Sequence, residues 1–133
     1  LQKKNLLLIK KLNLSKYIKI INNKKNPFPY IKMSDAFILS SKYEGSPNVL
    51  LEAITLNKII ISSDCPTGPN EILDGGKGGI LFKVGDYKNL SNIIELLASN
   101  RKKFNKLKVH AKKRLHRFDY NRRLNDYYKL ITD

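Results

Sequence analysis

Ala36-Phe37-Ile38-Leu39-Ser40-Ser41-Lys42-Tyr43-Glu44-Gly45-Ser46-Pro47-Asn48-Val49-Leu50-Leu51-Glu52-Ala53 joins a short apolar run to a polar loop and then to a segment of helical spacing. The four apolar residues predict a buried strand, and the apolar positions from Asn48 to Leu56 predict a helix. Outward from this unit the same alternation continues. Ile59-Ile60-Ile61 is a β-branched run expected as a second strand, Thr67 to Leu73 as a turn and short helix, and Ile80 to Phe82 as the last strand. Asp86 is placed to cap a helix from Tyr87 to Ala98, because its carboxylate can accept from the orphan amides of the first turn. From Arg101 onward the spacing is helical, with a break near Phe118-Asp119, where a second aspartate caps a final helix to Ile131. Upstream, Leu1 to Leu12 predicts a helix ending near Asn13, Tyr17 to Ile21 a strand, and Asn26 to Met33 a short helix opened by two prolines. Strands alternating with helices argue for an α/β fold, a Rossmann-like parallel sheet with helices on both faces. A complete doubly wound domain usually begins with a strand and a glycine-rich turn. Nothing like that turn precedes Leu6, so the leading strands are expected to be missing.

Composition narrows the class. Hydrophobic residues at 41% and charged residues at 28% of 133 place the chain among globular proteins. No apolar run approaches the roughly 20 residues of a bilayer-spanning helix, and the opening Leu1-Gln2-Lys3-Lys4-Asn5 has no signal-peptide core. Cys65 is the single cysteine and cannot form an internal disulfide, which fits a reducing, cytoplasmic setting. The net charge of +15 invites a nucleic-acid or anionic-membrane partner. The basic residues are mostly scattered lysines, and the densest groups, Arg101-Lys102-Lys103 and Lys112 to Arg117, lack the interleaved aromatics of a base-stacking platform. Nucleic acid is therefore not an expected partner of the main reading. A solvated lysine surface and peripheral contact with the inner face of a membrane both stay open.

The loop after Leu39 carries the chemistry. In an open α/β sheet, ligands sit in the crevice outside the carboxyl ends of the strands. Gly45 permits close backbone approach or a positive φ, and Pro47 has no N–H and a φ suited to entering a helix. The amides of Asn48, Val49 and Leu50 would then face the crevice with the positive end of the helix dipole, a site for a diphosphate that needs no metal. Glu52 lies about one turn inside the helix, where an ionised carboxylate beside a phosphate is tolerated only if it faces hydroxyls. Vicinal ribose hydroxyls fit that requirement. Glu44, nearer the loop mouth, would face the sugar end of such a ligand.

The run Ser40 to Ala53 resembles the glutamate, seven residues, glutamate motif of glycosyltransferase family 4. Three further stretches agree in the same order. Asn26-Pro27-Phe28-Pro29-Tyr30-Ile31 with Ser34-Asp35-Ala36-Phe37 resembles the helix and strand before the motif, and Ser62 to Leu73 the loop after it. Gly79-Ile80-Leu81-Phe82 with Gly85-Asp86 resembles the closing strand and helix cap. The resemblance implies the donor-binding, C-terminal half of a two-domain GT-B enzyme that transfers a sugar from a nucleoside diphosphate sugar, UDP-sugar by family frequency, to an acceptor hydroxyl with retention. It implies no cofactor and no metal. It assigns Glu52 to the donor ribose, the amides from Asn48 to Leu50, with Gly45, Ser46 and Pro47 around them, to the diphosphate, and Glu44 to the donor sugar. Ser46 stands where the family often has a bulky aromatic. Asn23 to Asn26 lies where members meet the nucleobase. The saccharide or lipid-linked acceptor, in cell-surface polysaccharide or lipid-linked glycan synthesis, would be held by an N-terminal domain absent here, so this chain is expected to be inactive alone. Residues 1–115 would be the donor domain and 116–133 a C-terminal helix.

Several features keep two readings. Pro66, Gly68 and Pro69 set a tight path on which Thr67 and Gly68 either approach the donor sugar or form a purely structural turn. His110 and His116 read as solvated, since no third ligand accompanies them. Leu124, Tyr127, Tyr128 and Ile131 form an apolar face that packs either on this domain or on the absent one. A basic binding module for nucleic acid or an anionic membrane surface is the alternative from another class.

Overall fold

A computed structural model describes residues 2–132. The order is α1 (Gln2–Lys11), α2 (Phe28–Met33), β1 (Ala36–Leu39), α3 (Asn48–Thr55), β2 (Ile59–Ser63), α4 (Pro69–Ile72), β3 (Ile80–Phe82), α5 (Tyr87–Ser99), α6 (Asn105–Arg114) and α7 (Tyr120–Thr132). Short 3-10 turns, Arg101–Phe104 and Leu115–Phe118, flank α6. The expected helix start at Leu1 lies outside the described residues.

The strands form one parallel sheet in the order β1-β2-β3. The register sets Ala36 beside Ile59, Leu39 beside Ser62, and Ser63 beside Phe82. Central β2 is buried at every position, which is why its apolar residues run without alternation. Ile31 from α2, Leu50, Ala53 and Ile54 from α3, Ile60, Ile72, Leu73 and Ala111 from α6 make one core. Gly79 is sterically required where β3 begins, since a Cβ there would stand 2.9 Å from the Ile60 carbonyl oxygen and 3.0 Å from a Leu73 methyl.

Both aspartate caps form as their positions demand: Asp86 accepts from the Asn89 amide at 3.0 Å and Asp119 from the Arg122 amide at 3.1 Å. The strand expected at Tyr17 to Ile21 does not form. Its recorded backbone bonds are local, from the Tyr17 and Ile18 amides to the Leu14 carbonyl at 2.9 Å each, and Ile18 and Ile21 stay exposed. A strand exists only by pairing, and none of β1, β2 and β3 pairs with this stretch. The apolar face of α7 does not pack on this body either: Leu124, Tyr127, Tyr128 and Ile131 are all exposed.

Candidate functional site

Parallel pairing sends the segments after β1 and β2 out at the same end of the sheet, and the structure ties them together there. Buried Ser63, the last residue of β2, donates from Oγ to the Ser41 carbonyl at 2.6 Å. Thr67 donates from Oγ1 to the Glu44 carbonyl. Gly68 has φ +86 and ψ −64, and a Cβ on it would fall 2.4 Å from the Gly45 carbonyl oxygen and 2.5 Å from Pro47 Cδ. The Thr67-Gly68 turn is thus pressed onto the backbone of Glu44, Gly45 and Pro47. The contact gives this turn a bracing role against the loop after β1.

Pro47 is buried and caps α3 at φ −73 and ψ 91. Without an N–H it leaves no donor to satisfy. The amides of Asn48 and Val49 meet no acceptor among the described residues, whereas the Leu50 amide donates to the Pro47 carbonyl at 2.9 Å. The expectation of three free amides is corrected to two. The Pro47 ψ of 91 turns its carbonyl toward the Leu50 amide, an i to i+3 bond of the 3-10 kind common at helix starts. The Leu50 side chain is fully buried in the core. Gly45 does not use a positive φ; a Cβ there would meet nothing within 4 Å. Its lack of a side chain keeps space open rather than relieving strain. Ser46 and Asn48 are exposed, and Val49 is half-buried.

Glu52 lies four residues after Asn48 and therefore on the same face of α3. Both it and Glu44 are half-buried. Neither carboxylate has an ion pair or a hydrogen bond among the described residues. In a chain carrying 26 lysines and arginines against 11 acids, two partly desolvated and unpaired carboxylates beside two unpaired amides are unusual.

The other predicted positions separate. Asn23 lines a shallow hollow of about 310 Å³ with Ile21, Asn22, Lys24, Pro27 and Tyr30. Asn26 spends its Oδ1 accepting from the Phe28 amide at 3.0 Å, which starts α2. Cys65 is buried. No three of His, Cys, Asp and Glu gather as metal ligands among the described residues, and no helix among them is long and apolar enough to cross a membrane.

Sequence reasoning missed one cluster. His110 is not solvated: its Nε2 lies 2.7 Å from Asp74 Oδ2. That contact, with the charges of Arg114, Lys77 and Arg117 helping, outweighs desolvation and holds the Asp74 carboxyl below its ordinary value. His116 is exposed, with Nδ1 2.9 Å from the Lys113 carbonyl. The groups in contact with Asp74, His110, Arg114 and Arg117, lie 36 or more residues along the chain, with no local signal to mark them.

Residues 1–114 match the family model described as glycosyl transferases group 1. An uncharacterized glycosyltransferase of Methanocaldococcus jannaschii is 50% identical over 66 residues, covering 50% of this chain and 16% of that protein. The N-acetylgalactosamine-N,N'-diacetylbacillosaminyl-diphospho-undecaprenol 4-alpha-N-acetylgalactosaminyltransferase of Campylobacter jejuni is 27% identical over 114 residues, covering 86% of this chain and 31% of that one. The chain spans under a third of these relatives. Among solved structures, Anabaena HepE in complex with UDP superposes at a TM-score of 0.87 with 20% identity, over 98% of this chain and 36% of that one. The fold is that of GT-B glycosyltransferases. With its glutamate pair at the end of a parallel strand and its match across residues 1–114, this chain belongs to the group 1 glycosyl transferases.

Proposed function

We propose that the chain binds the donor, a nucleoside diphosphate sugar, for a retaining glycosyltransferase that passes the sugar to an acceptor hydroxyl. The observation that carries this reading is the pairing of two free amides, Asn48 and Val49, with two unpaired half-buried carboxylates, Glu44 and Glu52. The amides take the diphosphate, Glu52 the ribose hydroxyls and Glu44 the donor sugar, while Gly45 leaves room for close approach. As the glycosidic bond breaks, the leaving diphosphate gains negative charge, which the fixed amides at the positive end of α3 stabilise. No cofactor or metal is invoked. UDP is the favoured nucleotide, supported by the Anabaena neighbour solved with UDP. The Campylobacter relative, named for an undecaprenol-linked substrate, supports a lipid-linked or polysaccharide acceptor, held by parts of the protein outside this chain. On this reading the chain alone binds donor without turnover. Work at the cytoplasmic face of a membrane fits the exposed lysines Lys102, Lys103, Lys106, Lys112 and Lys113.

The test is a UDP titration followed by amide chemical shifts. Perturbation is expected at Gly45 to Glu52, and Glu52→Ala should weaken binding by about 1.5–3 kcal/mol, roughly 10- to 150-fold, the worth of hydrogen bonds to a charged group. Affinity unchanged in Glu52→Ala would refute the ribose assignment. Tight, salt-sensitive binding to random oligonucleotides with no nucleotide response would favour a basic binding module instead.

A further inference from the structure

The one-turn helix α4 is held at both ends by contacts of different kinds. At its start lies the Thr67-Gly68 turn already described, braced on Glu44, Gly45 and Pro47. At its end, Arg117 reaches over from the 3-10 turn Leu115–Phe118 and donates from Nη2 to the Glu71 and Ile72 carbonyls, at 3.0 and 3.2 Å. The Ile72 carbonyl is among the acceptors that a helix terminus leaves without an internal partner, while the Glu71 carbonyl also accepts from the Asp74 amide at 3.1 Å. Just beyond, Asp74 is turned to φ +53, an uncommon conformation for a residue with a side chain. Its carboxylate faces the His110 ring, with Nε2 at 2.7 Å, and two guanidinium groups, Arg114 Nε at 3.6 Å and Arg117 Nη1 at 3.9 Å. Arg114 Nε is buried and without a hydrogen-bond partner, so its charge relies on Asp74 for compensation. Arg117 itself is mostly buried, its side chain 20% exposed.

A helix of four residues is about 6 Å long, and across it the Ile72 amide donates to the Gly68 carbonyl at 2.9 Å, tying its two ends together. Displacing its last turn therefore displaces Gly68, which has no slack against Gly45 and Pro47. We propose that Arg117 is a positioning residue of the donor site. Together with Asp74 it fixes α4, α4 fixes Thr67 and Gly68, and these set the backbone of Glu44, Gly45 and Pro47 from which the donor groups project. The inference rests on the donor-site reading above. Arg117 touches none of the donor groups itself.

The experiment compares Arg117→Gln and Arg117→Lys with the unaltered chain, at a temperature where all three are folded. UDP affinity is measured by titration, and amide shifts are recorded without nucleotide. Arg117→Gln should weaken UDP by about tenfold, since small misplacements of binding groups cost that much or more, while Arg117→Lys, which keeps a cation and donors, recovers most of it. A purely structural role lowers the melting temperature but leaves the affinity of the folded fraction alone. The amides of Thr67, Gly68 and Gly45 should also move in Arg117→Gln without nucleotide. Affinity within twofold of the unaltered chain, with shifts confined to residues 71–74, overturns the proposal. If the unaltered chain fails to bind UDP, the donor reading fails, and the nucleotide-free shifts at Gly45 still decide the relay. If Arg117→Gln does not fold, Thr67→Val cuts the relay at its other end, and unchanged shifts at Glu44 and Gly45 in that folded variant overturn it.

Discussion

Replacing Gly68 by alanine should damage both stability and donor binding, and the size of the effect follows from two geometric facts. Gly68 sits at φ +86 and ψ −64, a strained γ-turn conformation for any residue with a side chain. Holding alanine there costs about 1–3 kcal/mol. The new Cβ would also meet the Gly45 carbonyl oxygen at 2.4 Å and Pro47 Cδ at 2.5 Å. Backbone and a proline ring cannot rotate away as a flexible side chain can, so the two loops must part by about 1 Å, an overpacking term of roughly 1–3 kcal/mol. Together these give about 2–6 kcal/mol, a large share of the 5–15 kcal/mol typical of a domain. Urea unfolding of the two chains measures the difference, and a UDP titration under native conditions reports the displaced loop. Gly45→Ala is the control for the unfolding measurement alone, because a Cβ there meets nothing within 4 Å. It should change stability by no more than about 0.5 kcal/mol. If Gly68→Ala unfolds within about 1 kcal/mol of the unaltered chain, the two loops are not pressed together as described, and the bracing role of Thr67 and Gly68 falls with that contact.

Two further outcomes follow from the same structure. Ser63→Ala removes the hydroxyl that holds the Ser41 carbonyl at 2.6 Å, and should cost about 1 kcal/mol in urea unfolding while broadening the amide signals of residues 40–46. Asp74 is held below its ordinary pKa chiefly by His110, so the stability it contributes is complete above the ordinary carboxylate range, about pH 4, and is lost as pH falls through the depressed value. Asp74→Asn should flatten that acid-side loss in thermal melts taken at descending pH.

The features legible in the chain were those whose cause is local. Ala36 to Leu39, Ile59 to Ile61 and Ile80 to Phe82 are strands because each is a short apolar run between turn-forming residues. Asp86 and Asp119 cap helices because a carboxylate three residues before an orphan amide can reach it. The glutamate spacing from Glu44 to Glu52 and the proline at the entrance to α3 mark the loop after β1 for the same reason. Local reasoning failed where a partner was needed. Tyr17 to Ile21 has strand composition and no strand beside it, and His110 has surface-like neighbours in sequence but an aspartate against its ring.

What the sequence by itself determined is the α/β order, the caps and the position of the glutamate pair, since each depends on residues within a few positions of one another. The tertiary structure decided that Thr67 and Gly68 brace the loop after β1, that among the described residues the Leu50 amide is occupied while Asn48 and Val49 are free, and that Arg117 holds the end of α4. Thr67 meets Glu44 across 23 residues and Arg117 meets Glu71 across 46. Such contacts exist only once parallel pairing has set the register and brought distant loops to one end of the sheet.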